Sequence, residues 1–467
     1  MASAVDVHGG TVWTMIWWGF KLSLKFVSNL ILTRLLSPEM FGVAAIGNAL
    51  MSGIGMFSDL GIPQNIVRSN RNDDRYYQTA WTVQLLRGLA LTLIIVLLAK
   101  PFAMLYENDG LFTFLMIVAV SNMAMGFNNI EVLRDFRHAT LRKVALIDNS
   151  AALIGLTVMA LWAWLSPSYV ALAVGALVST SVFALGTYIA YPRHNCRLRL
   201  EKEAVGDLVG FGKWVLISTV LAFATSQMDR LTLGKLVPMH VLGLYSIAWI
   251  WASVPSQLLE QWASRVFFPL ASQHIRDQST GTIISNARRT YVVLAGIAAA
   301  VMYSVSDVLL SNLYTAEYQG VALLIRQLSV ICLLLAIDQS YSHMLIAEGR
   351  PRDKIIGQVL SVAVFGVGLF PAFEYAGVAG VVALLAISAA VRIGWIAYQL
   401  FGFKLRELGI DGVVVGSFFV VAPALHAFVG AYDNRWYQVS AALAEGCMAL
   451  LIALWGYRRF RGKHDQL

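Results

Sequence analysis

An all-α integral membrane protein is the fold class this sequence predicts, and three observations carry that expectation. Of 467 residues, 58% are hydrophobic and 13% are charged, with a mean hydropathy of +0.66, whereas soluble domains are roughly 25% charged. About fourteen runs reach the roughly 20 apolar residues that a spanning helix needs. Basic residues collect in alternate connections between those runs, as the positive-inside rule requires of a helical membrane protein. The runs are far longer than the roughly ten-residue alternating segments of a membrane barrel, so the backbone satisfies its own polar groups within helices.

Taken in order, the spans are expected at 11–36, 41–67, 77–100, 112–133, 144–165, 168–191, 210–236, 241–271, 290–312, 321–346, 355–373, 377–401, 411–430 and 436–457. The first run carries Lys21 and Lys25 and continues to Leu36 without a small-residue cleavage site, so it reads as a retained span and not as a signal peptide. Cations follow every second span: Arg68, Arg71 and Arg75; Arg134, Arg137, Arg142 and Lys143; Arg193, Arg197, Arg199 and Lys202; Arg276, Arg288 and Arg289; Arg350, Arg352 and Lys354; Lys404 and Arg406; then Arg458, Arg459, Arg461 and Lys463. These connections and both termini are expected in the cytoplasm. The intervening turns, such as Ser37 to Met40 and Pro238 to His240, are short, poor in cations and expected outside. Topology accounts for the net charge of +8, and no nucleic-acid partner is expected. Cys196, Cys332 and Cys447 are too far apart in sequence to suggest a disulfide framework or a metal cluster.

A duplication with a period of roughly 200 to 210 residues organises the chain. Leu32 to Ala44 (LTRLLSPEMFGVA) aligns with Leu233 to Tyr245 (LGKLVPMHVLGLY), pairing Arg34 with Lys235 and Gly42 with Gly243. LYENDG at 105–110 likewise matches LYTAEYQG at 313–320. The expected domains are a six-helix lobe over 1–200, a second over 201–404, and two further helices with a basic tail over 405–467. Six is even, so both halves share one orientation, and a crevice between them is the expected binding site.

Depth, counted at 1.5 Å per residue, separates the intramembrane charges by sign. Lys25, Arg87 and Arg392 fall near the middle of their spans, while Asp59, Asp148, Glu260 and Asp338 fall toward the cytoplasmic side. Arg326 and the Asp229/Arg230 pair lie toward the outside. Charge at membrane depth costs at least about 2.5 kcal/mol and marks a site by default. The candidate substrate-binding cations are therefore Lys25, Arg87, Arg392, Lys21 and Arg326, and the cargo they suit is an anion such as a lipid pyrophosphate. Asp59, Asp338, Asp148 and Glu260 either pair with cations when the cavity is empty or couple transport to protons or sodium. Structural readings stand beside each. Lys21 either faces the cavity or snorkels to the headgroups with Trp17 and Trp18. Arg87 and Arg392 also suit buried ion pairs, Asp59 suits the closing of a helix end, and Asn122, Asn128 and Asn129 suit interhelical bonding.

The sequence contains no Walker A run, HExxH, GxSxG or CxxC, and no cofactor or enzymatic activity is expected. The stretch NLILTRLLSPEMFGVAAIGNALMSGIGMFSDLGIPQNIVR at 29–68 resembles the start of bacterial polysaccharide flippases of the Wzx type. Arg34, Leu35, Leu36, Pro38, Phe41, Gly42, Asp59, Leu60 and Gly61 match that family's pattern, and DRLTLGKLVPMHVLGLY at 229–245 is similar to its second-half signature. The resemblance implies the multidrug/oligosaccharidyl-lipid/polysaccharide exporter superfamily, a V-shaped bundle of two six-helix lobes with alternating access, here with two more helices. It implies a bacterial inner-membrane flippase for undecaprenyl-diphosphate-linked oligosaccharide units, with membrane lipid, a polysaccharide polymerase and a chain-length regulator as partners. A cation or drug antiporter of the same superfamily is the alternative, disfavoured by the cationic midplane. A membrane polymerase or ligase needs a larger outward loop than this sequence has.

Overall fold

The computed structural model describes residues 4–58, 62–68, 71, 73–138, 142–191, 196–277, 282–401 and 405–430. The helices are α1 (Ala4–Leu35), α2 (Pro38–Phe57), α3 (Ile62–Arg68), α4 (Asp74–Leu105), α5 (Asp109–Gly126), α6 (Val132–His138), α7 (Arg142–Leu165), α8 (Tyr169–Ala190), α9 (Lys202–Leu236), α10 (Met239–Ala252), α11 (Val254–Trp262), α12 (Phe268–Asp277), α13 (Thr282–Leu313), α14 (Val321–Ala347), α15 (Pro351–Phe401) and α16 (Leu405–Gly430). Eight helical stretches among the described residues are long and apolar enough to cross a membrane. The expected fourteenth span, 436–457, and Asp59 lie outside the described residues.

Three expected spans are interrupted for local reasons. The 41–67 run stops at Ser58, whose backbone N–H donates to the Gly55 carbonyl, as does its hydroxyl. The 112–133 run breaks after Gly126, where Asn129 accepts from the Glu131 N–H and donates its amide to Tyr191 O, a side-chain alternative to the helical ladder. The 241–271 run divides at Ser253, ahead of Pro255 in the first turn of α11, and widens into a π-turn over Ala263–Phe267. By contrast, α15 holds two expected spans. Its helix breaks at Ala376 and Gly377, and Gly377 takes φ of 56°, open to glycine without the strain a side chain would bring. Gly368 then packs on Leu384 and Arg350 donates to Gln399 O at 3.0 Å, so the two arms run antiparallel.

The chain divides into two compact units, Met1–Gly243 and Leu244–Leu467. In the first, α4 packs on α5, α7 on α8, and α1 on α7. The α9 helix, assigned to the second half by the duplication, packs on α2 within this unit. Its C-terminal end brings the duplicated turns together reciprocally. A methyl group on Gly42 would overlap Met239 O, and one on Gly243 would overlap Pro38 O, where Pro38 and Met239 are themselves the aligned pair. In the second unit, α13 packs on α14 and α16, and α14 on α15. Its buried core includes Phe267, Tyr291, Ile337, Tyr341, Ile396 and Phe418.

Candidate functional site

The first unit contains a cavity of about 490 Å³ lined by Ser52, Gly55, Met56, Pro63, Arg87, Ser226 and Gln227. The end of α2 shapes it. A helix leaves its last four carbonyls unpaired and carries partial negative charge there. Arg87 on α4 answers both needs, donating from Nη2 to Gly55 O at 3.0 Å and from Nε to Ser58 Oγ at 3.0 Å. Thr219 on α9 takes the neighbouring Met56 carbonyl at 3.0 Å. The guanidinium is thereby fixed in the cavity wall with little rotamer freedom left to lose on binding.

A second cation extends this region. Arg230 donates from Nη1 to Gln227 Oε1 at 2.9 Å, and Gln227 lines the cavity. Lys25 on α1 has Arg230 as its charged neighbour and forms no ion pair among the described residues. Arg87 and Arg230 thus each bond a residue of this cavity's lining, and Lys25 stands within electrostatic reach of Arg230. In sequence Arg230 reads as one half of an Asp229/Arg230 pair toward the outside, and so stands outside the candidate cations.

The other expected site residues are distributed differently. Lys21 Nζ lies 2.5 Å from Asp148 Oδ2, which also accepts from Trp17 Nε1 at 2.7 Å, joining α1 to α7. In the second unit, Arg392 Nε donates to Asp338 Oδ1 at 2.8 Å and both side chains are buried. Residue counting put this pair in separate layers. Asp338 is 17 residues past the start of α14 and Arg392 15 past Gly377, about 26 and 23 Å in, which side chains easily bridge. Glu260 Oε1 stands 3.4 Å from His343 Nε2. Arg326 donates to His426 Nε2 at 2.7 Å, lies 3.6 Å from Asp307, and lines a separate cavity of about 230 Å³ with Tyr303, Phe418 and Phe419. Asp307, His343 and His426 gave no local pattern in sequence.

One buried cluster went unread. Arg288 bonds Asp411, Tyr341 donates to the same carboxylate oxygen, and the guanidinium sits 4.1 Å over the Tyr341 ring. It ties α16 to α13 and α14. Arg288 and Asp411 both lie at the edges of expected spans, where charges read as loop residues. An acid opening an apolar run was the available signal.

The model of a family described as polysaccharide biosynthesis protein matches residues 31–323, well over half the chain. The chain belongs to that family. Among its relatives is the lipopolysaccharide biosynthesis protein WzxC of Escherichia coli (strain K12), 21% identical over 418 residues, covering 87% of this chain and 81% of the relative. The succinoglycan biosynthesis transport protein ExoT of Rhizobium meliloti (strain 1021) is 24% identical over 295 residues, 63% of this chain and 60% of that one. In structure, the lipid II flippase MurJ in an inward closed conformation matches with a TM-score of 0.76 at 13% identity, over 96% of this chain and 99% of that one. A multidrug resistance MATE family transporter in an inward-facing conformation matches with a TM-score of 0.63 at 15% identity, over 84% and 96%. This member of the polysaccharide biosynthesis family therefore has the helical membrane-transporter fold of those two proteins.

Proposed function

We propose that the chain is a flippase that moves undecaprenyl-diphosphate-linked oligosaccharide units from the cytoplasmic to the outer leaflet of the inner membrane, for surface or exopolysaccharide synthesis. The observation that carries this reading is the first-unit cavity with Arg87 in its wall and Arg230 bonded to Gln227 of its lining. A diphosphate offers several charged acceptors, and fixed guanidinium donors hold such a group through charge-assisted, bidentate hydrogen bonds. Ser52, Ser226 and Gln227 supply neutral hydrogen-bonding groups that suit sugar hydroxyls. The names of ExoT and MurJ, a transport protein and a flippase, support transport over an enzymatic reaction.

In the cycle, Arg87 and Lys25 bind the diphosphate while access alternates between the two faces, with both termini cytoplasmic. Coupling to a proton or sodium gradient falls to Asp338, Glu260 or Asp148, which in this state face Arg392, His343 and Lys21. The product is handed to a polymerase and chain-length regulator. The MATE-like fold makes a cation antiporter the second reading, but the described lining of the cavity offers such a cargo no carboxylate. In cells, Arg87→Ala and Lys25→Ala should abolish surface polysaccharide with protein abundance unchanged, and intact polymer would remove both residues from the mechanism. Asp338→Asn should shift the pH or sodium dependence of transport, and an unaltered profile would exclude it as the coupling group.

A further inference from the structure

The segment 196–201 is neither helix nor turn. It runs extended along the first turns of α4, held through its backbone: Thr82 Oγ1 donates to Arg197 O at 3.3 Å, the Arg199 N–H donates to Thr82 Oγ1 at 2.9 Å, and the Glu201 N–H donates to Thr79 Oγ1 at 3.2 Å. Both ends are fastened as well. The Cys196 thiol reaches Asn129 Oδ1 at 3.5 Å, and Glu201 pairs with Arg71 at 3.0 Å. Since the backbone of residues 197, 199 and 201 makes the attachment, the side chains are left outside. Leu198 is 74% and Leu200 60% exposed, and Arg197, Arg199 and Lys202 are exposed around them.

Height along α4 decides what this strap meets. Thr82 and Thr79 stand 18 and 21 residues before Lys100, where the apolar run of α4 ends, about 27 and 32 Å at 1.5 Å per residue. The hydrocarbon core is about 30 Å thick and the bilayer with headgroups about 40 to 45 Å. The strap thus lies at the edge of the hydrocarbon core, where apolar tips and cations side by side match the boundary between acyl chains and phosphates. Arg71 is shared between Glu201 and Asp73, Asp74 pairs with Arg134, and Glu203 is exposed nearby. Arg75, Arg142 and Lys143 add exposed cations on the neighbouring helix starts, and Lys143 lies over the Tyr191 ring where α8 ends.

We propose that the 196–201 strap is a binding surface for anionic phospholipid headgroups, with Leu198 and Leu200 dipping into the leaflet and Arg197 and Arg199 on the phosphates. It is independent of the cavity and of what the cavity carries. Each arginine contributes about fivefold to the local preference for anionic over neutral lipid.

The test places a nitroxide at Leu198→Cys in the full chain, with Cys196, Cys332 and Cys447 replaced by Ser, in nanodiscs of equal phosphatidylglycerol and phosphatidylcholine. Collisions with oxygen and with a water-soluble nickel chelate report depth. The Leu198 label should be shielded from nickel, while a label at Glu203→Cys should stay water-exposed. Shielding should be lost in pure phosphatidylcholine and in the Arg197→Gln/Arg199→Gln variant, with thermal stability unchanged. A Leu198 label as open to nickel as the Glu203 label would overturn the proposal. So would shielding that ignores lipid charge and both arginines.

Discussion

The Asp338–Arg392 pair offers a sharp energetic test. At 2.8 Å, with side-chain exposures of 12% and 9%, an effective dielectric of about 20 gives a Coulomb attraction of roughly 6 kcal/mol, offset by desolvation of both ions. Removing one partner leaves the other buried and charged. Arg392→Leu or Asp338→Leu should therefore destabilise the second unit by about 3 to 5 kcal/mol. Removing both charges eliminates that penalty, so the double Leu variant should return to within about 1 to 2 kcal/mol of wild type. The assay is a double-mutant cycle on thermal or denaturant unfolding of the purified protein in detergent, read by tryptophan fluorescence. A coupling energy of about 3 kcal/mol or more is expected. Losses that simply add, with coupling below about 0.5 kcal/mol, would refute the claim that these charges hold each other.

Two further predictions concern the first unit. Gly42→Ala should destabilise the protein by about 1 to 3 kcal/mol, because the new methyl overlaps Met239 O and backbone cannot swing aside. Gly55→Ala in the same helix meets open space and should be neutral or stabilising by up to about 1 kcal/mol; equal thermal midpoints for the two variants would contradict the reciprocal contact. Asp73 caps α4 by accepting from the Tyr76 N–H at 3.1 Å, and the hydrogen bond from Arg71 holds its carboxyl below the usual range. A lowered folded value means that this contribution is present above the unfolded value of about 3.9 and disappears as pH falls through the folded one. Asp73→Ala should cost about 1 kcal/mol at pH 7, with the gap to wild type closing below about pH 4. A gap that persists at pH 2 would show that the carboxylate charge is irrelevant to the cap.

Composition and loop charge made the helical membrane fold readable, because hydrocarbon admits few alternatives to a long apolar helix. The duplicated turns were readable too, and their partnership follows from it: Gly42 and Gly243 are small because each faces the other repeat's backbone. Local breaks were not, since Ser58 and Asn129 end helices through bonds to residues that a periodicity argument ignores. Individual charges were legible only as charges. Whether Lys21 meets Asp148, Arg392 meets Asp338 or Arg326 meets His426 depends on which helix faces turn toward one another. Pairing across helices leaves no spacing signature within one span. The strap at 196–201 read merely as a basic loop, and its alternation of arginine and leucine gained meaning from its height on α4.

Translocation by the purified protein tests the central claim most directly. Proteoliposomes loaded with a short-chain lipid-diphosphate oligosaccharide, and assayed for its appearance on the opposite leaflet, should show transfer with the wild-type chain. Transfer should fall to the protein-free rate with Arg87→Gln that reconstitutes as folded, monodisperse protein. Wild-type transfer no faster than protein-free liposomes, or Arg87→Gln as active as wild type, would contradict the account.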